Sequence, residues 1–419
     1  MRGGAFISVP AIVKMMKAIF GFMLVVSTCT ASLMIRSERD AQTDYENSIC
    51  ECVPYYQCSA KGTANENGEG VIDIRVATSE ENPTAGRRTC GHYLEVCCLP
   101  PDVNPVQPGV NGSNNGGNGG NNNDNTGNGN GHVNRGCGYR NPEGIGFRIT
   151  GNNNNEAQFA EYPWMVAILE SSSREKAYIC GGSLIHRRVV LTAAHCVAEK
   201  SATSLIIRAG EWDTQTTNEG LPHQDRDVAV AVIHPNYRPG TLFNDFALLI
   251  LDNVIELADN VEIICLPEAN EIFDNSNCIA TGWGKSEFGD EGKYQVILKA
   301  VQLPLVPRAT CQNSLRNTRL GKYFKLDQSF ICAGGIAGID TCKGDGGSPL
   351  VCPLRYDPSR YTQAGIVAWG IGCGTDGVPG VYAHVSMVRP WIDQTLANYN
   401  IDVTSYSSGA NNNYPPVQG

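Results

Sequence analysis

The chain has 419 residues, enough for more than one domain. Its formal net charge of -10 gives no electrostatic case for nucleic acid or an anionic membrane as partner. The 17 cysteines point to an oxidising compartment if they pair.

The N-terminus reads as an export signal spanning residues 1–31. Met15-Met16-Lys17 precedes the apolar run Ala18 to Val26, followed by Ser27-Thr28-Cys29-Thr30-Ala31. That is a basic region, a short apolar stretch and small residues before a cleavage site. The run is too short to span a bilayer comfortably, and a buried helix is the alternative reading. Cleavage near Ala31 removes Cys29 and leaves 16 cysteines, an even number. No second stretch reads as a membrane span, so a secreted protein is expected.

Ser32 to Glu46 is polar. Six cysteines follow in a block spanning residues 45–100: Cys50, Cys52, Cys58, Cys90, Cys97 and Cys98. So short a segment buries little core and needs covalent staples. Six cysteines allow many pairings, and spacing alone does not choose among them. A zinc site is the competing reading, weakened by a single histidine, His92, and by the export signal. Tyr55, Tyr56, Ile72 and Ile74 are either the core of this small module or a docking face. Residues 101–136 form a linker: Pro100, Pro101, Pro105 and Pro108 open it, and Asn111 to Gly131 is almost pure Asn and Gly. Such a stretch has no apolar surface to offset the cost of ordering its backbone, so disorder is expected. Asn111-Gly112-Ser113 is a glycosylation sequon within it.

The pattern Cys50-x-Cys52-Val53-Pro54-Tyr55-Tyr56-Gln57-Cys58, then Ile72-Asp73-Ile74-Arg75, Cys90 and Val96-Cys97-Cys98, resembles the clip domain of arthropod proteases. The resemblance covers only the N-terminal quarter of the chain. It implies the disulfides Cys50–Cys97, Cys52–Cys90 and Cys58–Cys98.

Cys137 opens a second domain spanning residues 137–399, in which short β-rich runs alternate with Gly, Pro and Asn turns to about Val385, which argues for all-β barrels or a sandwich. Val388 to Ala397 reads as a terminal helix. Residues 400–419 are polar, contain Asn and Pro, and are expected to be a disordered tail. Several phrases stand in order along this region: Gly146-Phe147-Arg148-Ile149-Thr150-Gly151, Leu191-Thr192-Ala193-Ala194-His195-Cys196, Asn244-Asp245-Phe246-Ala247-Leu248-Leu249, Thr281-Gly282-Trp283-Gly284, Gly344-Asp345-Gly346-Gly347-Ser348-Pro349 and Ala368-Trp369-Gly370. Together they resemble the chymotrypsin family of serine proteases. The implied fold is an all-β, chymotrypsin-like double β-barrel, here inactive and preceded by the small clip domain. The resemblance also implies the bridges Cys137–Cys265, Cys180–Cys196, Cys278–Cys352, Cys311–Cys332 and Cys342–Cys373. Arg148 falls at the zymogen activation site, although Thr150 stands where valine is usual and an Asn run follows.

This chemistry needs a hydroxyl that attacks, an imidazole that takes its proton and a carboxylate that orients the imidazole. His195 and Asp245 occupy the last two positions. The nucleophile position holds Gly346, which has no side chain. Ser348 lies two residues downstream, displaced by roughly 6–7 Å in an extended segment, and near-attack geometry tolerates far less. Losing the attacking serine in such enzymes costs about 10⁶ in rate. The main-chain N–H groups of Gly344 and Gly346 could still form an oxyanion hole.

Asp340 stands six residues before Gly346, in the place of the selector for basic side chains in trypsin-like members, and Gly370 and Gly380 match the glycines that keep that pocket open. Ala368 departs from the usual serine. Either the pocket takes an Arg or Lys of a partner or it is inherited without use, and the second is the plainer reading. In the family, the aspartate at the place of Asp345 pairs with the N-terminus freed by cleavage; here its role is expected to be structural. In trypsin-like enzymes the loop matching the one after Gly210-Glu211 can bind calcium; Glu211, Asp213 and Asp225 offer oxygens of the type Ca2+ prefers, and a solvated acidic loop is the plainer reading. No catalytic cofactor is expected.

The combination resembles the clip-domain serine protease homologues of insect haemolymph, nearest to prophenoloxidase-activating cofactors. It implies a secreted, non-catalytic cofactor for melanisation that an upstream clip-domain protease cuts. The cut chain then assembles and aids prophenoloxidase or its activating protease. The alternative is an adhesion or microbial pattern-recognition protein, and a weak enzyme using Ser348 or water is the third class. Two bonds are candidates for the cut, Arg75-Val76 within the clip block and Arg148-Ile149. N-terminal sequencing of the naturally processed protein is expected to yield Val76 or Ile149 as a new terminus; finding neither rejects both sites.

Overall fold

The computed structural model describes residues 51–54, 65–69, 71–75, 95–98, 136–145, 155–171, 176–216, 219–274, 276–286 and 293–409. The expected signal peptide, the Asn/Gly tract with Asn111, the clip cysteine side chains and Arg148 lie outside the described residues. Two compact units divide the chain. One comprises residues 1–64 and 86–102, the other residues 65–85 and 103–419. In the first, β1 (Glu51–Pro54) pairs antiparallel with β3 (Glu95–Cys98), with Cys52 opposite Cys97.

In the second unit, runs such as Val189 to Leu191 and Ala247 to Leu251 are apolar throughout and lie in strands buried on both faces. Six strands close a first barrel in the order β4 (Met165–Ser171), β5 (Lys176–His186), β6 (Val189–Thr192), β9 (Ala247–Leu251), β8 (Gln224–Ile233) and β7 (Leu205–Ala209). The second barrel runs β13 (Pro349–Leu354), β10 (Asn277–Gly282), β11 (Lys299–Val306), β12 (Phe330–Gly334), β15 (Pro379–His384) and β14 (Asp357–Gly370), and pairing of β13 with β14 closes it. Closure leaves few sheet edges exposed. Five disulfides brace this unit: Cys137–Cys265, Cys180–Cys196, Cys278–Cys352, Cys311–Cys332 and Cys342–Cys373. Among the described residues the α-helices are α1 (Ala194–Val197), α2 (Arg308–Arg316) and the longer α3 (Val385–Asn398). No helix among the described residues is long and apolar enough to cross a membrane.

Two stretches depart from the sequence reading. Within the block 45–100, read from the sequence as one module, residues 65–69 and 71–75 pack with the barrels. There, β2 (Asp73–Ile74) adds a further strand to β14, with Trp369 opposite Ile74 and Gly370 opposite Asp73. Val71 is buried in a cluster with Leu242, Leu320, Phe324 and Trp369. Ile74 instead remains exposed. The open hydrogen-bonding edge of β14 and an apolar recess outcompete a module too small to bury these residues.

The expected tail is also ordered in its first part. Ile401 and Tyr406 are buried. The Tyr406 hydroxyl donates to Asp393 Oδ1 at 2.6 Å, and the Arg389 guanidinium lies 4.8 Å from its ring centre. The Tyr406 carbonyl accepts from Leu266 N–H at 2.9 Å, and Arg360 Nη1 donates to the Ser408 carbonyl at 3.0 Å. Composition concealed this because one tyrosine and one isoleucine anchor an otherwise polar segment. Tyr406→Ala is expected to lower stability by about 3–5 kcal/mol in urea unfolding, and Tyr406→Phe by about 1 kcal/mol; a segment lying loosely on the surface would give less than about 0.5 kcal/mol.

Candidate functional site

The cleft between the barrels is built by three loops. The first ends β6 and enters α1, where the Cys180–Cys196 bridge fixes the residue after His195. The second precedes β9. Asn244 there adopts φ +55°, a left-handed conformation that asparagine tolerates better than most residues, and the next side chain, Asp245, is fully buried. Asp245 accepts from the His195 main-chain N–H at 2.8 Å and lies 2.6 Å from His195 Nδ1 through its other oxygen. The orienting half of a catalytic triad is therefore in place. His195 Nε2 is buried with no hydrogen-bond partner among the described residues.

The third loop runs from Cys342 to Ser348. Gly346 faces the imidazole, and a Cβ built there would lie 2.7 Å from His195 Nε2. Ser348 is fully buried and packs against Gly181, where a Cβ would come within 2.0 Å of its hydroxyl oxygen. Its main-chain N–H is bonded to the Asp345 carbonyl at 3.0 Å and its carbonyl to Val367 N–H at 2.9 Å, which holds it in the wall between the barrels.

Residues 73–75 lie along the cleft as an extended peptide. The Arg75 N–H donates to the Ala368 carbonyl at 3.1 Å. The Arg75 carbonyl oxygen accepts from Gly344 N–H at 3.0 Å and from Gly346 N–H at 2.9 Å. Those two donors form an oxyanion hole, and a main-chain carbonyl fills it. The Arg75 side chain enters the pocket that ends at Asp340. Its Nη2 lies 3.3 Å from Asp340 Oδ2 and donates to the Gly372 carbonyl at 2.8 Å, while Nη1 donates to the Thr341 carbonyl. Arg75 is 1% exposed and the Asp340 side chain 5%. Burial raises the Asp340 pKa and the Arg75 charge opposes the rise. Gly370 is required by the close approach, since a Cβ there would fall 2.0 Å from Arg75 Nη2. A Cβ at Gly380 would fall 2.7 Å from Asp340 Oδ1. In this structure the chain's own Arg75 occupies the pocket, an occupant that neither sequence reading named.

Asp73, quoted from the sequence only as part of the clip phrase, and Arg319, not singled out there, hold the segment from outside the pocket. Asp73 Oδ2 accepts from Gly372 N–H at 2.8 Å. Arg319 Nε donates to the Val71 carbonyl at 2.9 Å, and its Nη2 pairs with Asp73 Oδ1. The one available signal was the Ile72-Asp73-Ile74-Arg75 phrase itself, whose alternation suits an added strand.

The expected calcium set is not gathered. Burial pushes the Asp225 carboxyl up, but Arg208 at 2.8 Å and Lys176 at 2.9 Å together outweigh it and hold the pKa at about 2. Asp213 accepts from Gln215 N–H and the Thr216 hydroxyl within its own turn. Glu211 is buried beside Arg208 and Glu219, and burial pushes its pKa up to about 7. Among the described residues the one cluster with metal-ligand spacing is Cys180, His195 and Cys196, whose two cysteines are joined in a disulfide.

The fold and cleft define the class: a chymotrypsin-like double barrel with an oriented histidine, a formed oxyanion hole and a glycine at the position of attack. The trypsin family profile matches residues 151–392, and that described as "Serine protease Clip domain PPAF-2" matches residues 39–99. Phenoloxidase-activating factor 2 of Galleria mellonella is 55% identical over 279 residues, 64% of this chain and 91% of the relative. Inactive CLIP domain-containing serine protease A8 of Anopheles gambiae is 36% identical over 376 residues, 85% of this chain and 92% of the relative. Protein masquerade of Drosophila melanogaster is 38% identical over 258 residues, 61% of this chain and 24% of the relative. The chain belongs to the trypsin family and is a clip-domain serine protease homologue.

Asp345 stabilises the third loop. Its carboxylate accepts from Gly284 N–H and Cys342 N–H, both at 2.8 Å, beside a cavity of about 190 Å³ that Asn155, Lys285 and Lys299 help to line. Burial pushes its pKa up to about 6, although both N–H groups favour the charged form. A carboxyl with a raised folded-state pKa favours the fold when protonated. That stability is present below the unfolded pKa near 4 and is lost as pH rises through about 6. Asp345→Asn is expected to remove this fall, on the order of a few kcal/mol between pH 4 and pH 7, measured by urea unfolding at both pH values; equal slopes for variant and wild type would contradict it.

Proposed function

We propose that the protein is a secreted, non-catalytic cofactor of the melanisation cascade in haemolymph. In this reading it is processed by an upstream clip-domain protease and then supports the conversion of prophenoloxidase by a true protease. One observation carries the loss of catalysis: nothing at Gly346 can attack a carbonyl, although the base, its orienting carboxylate and the oxyanion donors are present. With only the nucleophile missing, the cleft remains a device for holding an extended peptide without cutting it. The names of relatives support the direction of the reading, since they include phenoloxidase-activating factors and inactive clip-domain proteases. The resemblance further implies prophenoloxidase or its activating protease as partner and assembly after cleavage.

A reconstituted assay tests this. Purified prophenoloxidase and an activating clip-domain protease are incubated with and without the processed protein, and phenoloxidase activity is measured beside fluorophosphonate labelling. The expected result is a rise in phenoloxidase activity from a protein that takes no label. Absence of any rise, with tight peptidoglycan or glucan binding, would favour the adhesion reading. Label mapped to Ser348 would make the protein an enzyme with a displaced serine.

A further inference from the structure

The geometry points to a tethered plug: residues 65–75 close the arginine pocket of this chain from within, shelter the Arg75-Val76 bond from other proteases, and on release expose a pocket that holds basic side chains. This inference concerns the cleft itself and holds whatever partner the protein serves.

Four observations converge. The arginine is held at both ends, with its guanidinium against Asp340 and the Thr341 and Gly372 carbonyls, and its carbonyl oxygen on two main-chain N–H groups. The backbone before it extends the sheet along β14. Anchors outside the pocket repeat the attachment: Val71 is buried, Arg319 binds Val71 and Asp73, and Lys325 binds Glu66 through its main-chain N–H at 2.7 Å and through its Nζ at 2.8 Å. Finally, Gly346 permits the fit. A Cβ there would lie 2.5 Å from the Arg75 carbonyl oxygen and 2.9 Å from its carbon, closer than real Cβ contacts come. The glycine that removes the nucleophile also lets the plug seat fully.

Two consequences follow from exclusion. A trypsin-like protease must take Arg75 into its own pocket, and a side chain that is 1% exposed in this one cannot enter another. Hydrolysis, which adds water across Arg75-Val76 and leaves an Arg75 carboxylate and a Val76 amine, therefore requires the plug to leave first. Conversely, a guest cation competes with Arg75 for Asp340, so its apparent affinity falls by the fraction of time the plug is out. A buried Asp340 without a cation would be costly, which favours a second basic side chain when the first departs.

The test uses the full-length, uncut protein and p-aminobenzamidine, an arylamidine whose fluorescence reports entry into such a pocket. Wild type, Arg75→Ala and Arg75→Ala/Asp340→Asn are titrated. Arg75→Ala is expected to bind at least about tenfold more tightly than wild type, and the double variant not at all. Equal affinity in wild type and Arg75→Ala overturns the plug, and no binding by Arg75→Ala overturns the pocket's competence. A second measurement leaves the pocket untouched: Arg319→Ala loosens the plug from outside. In limited trypsin digestion, followed by quantitative N-terminal mass spectrometry, it is expected to release the Val76 terminus about tenfold faster than wild type. An unchanged rate overturns the shelter.

Discussion

Two main-chain N–H groups, of Gly344 and Gly346, converge on a single point in the cleft, and much of the site follows from satisfying them. Such donors are costly to leave unpaired away from water. The loop that aims them is pinned by the Cys342–Cys373 bridge and by the Asp345 carboxylate, which takes two further N–H groups. With that loop fixed, both N–H groups point at one place that a single oxygen can fill. The Arg75 carbonyl supplies the oxygen, and its side chain then reaches Asp340.

The same geometry separates binding from chemistry. In this fold the oxyanion donors, the pocket and the edge of β14 recognise a peptide, whereas the hydroxyl cuts it. The His195–Asp245 pair persists at 2.6 Å although no hydroxyl stands at residue 346 to give up a proton. Asp245 is fully buried and also accepts the His195 main-chain N–H, so the pair secures the start of α1 as well as the imidazole. Removing one partner would leave a buried polar group unmet, which is reason enough for its structural retention.

The larger unit has its own apolar interior. The double barrel buries continuous apolar runs around a core that includes Trp164, Trp283 and Phe246, and its disulfides add to a fold that already has a large interior. The clip block has no comparable apolar reserve, and the stretch 65–75 finds its packing on the larger unit. An open sheet edge accepts a strand from any source at the correct spacing. A segment tethered to the same chain has a high effective concentration, so it takes that edge before a partner does.

Sequence alone determined the double barrel, because short apolar runs and their turn residues specify local strand structure and the fixed phrases around His195, Asp245 and Gly346 stand in order. It also determined the missing hydroxyl, since a glycine has none wherever it sits. What it did not reveal depended on contacts between distant parts of the chain. Arg75 and Asp340 are 265 residues apart, and no periodicity or spacing encodes that meeting. Asp73 and Arg319 are 246 residues apart, and they meet only because β2 joins β14. Tyr406 looked like part of a polar tail until Asp393 and Arg389 were placed around it. In each case local composition described the side chain correctly, and only the folded barrels supplied the recess, the sheet edge or the counter-charge that gave it a role.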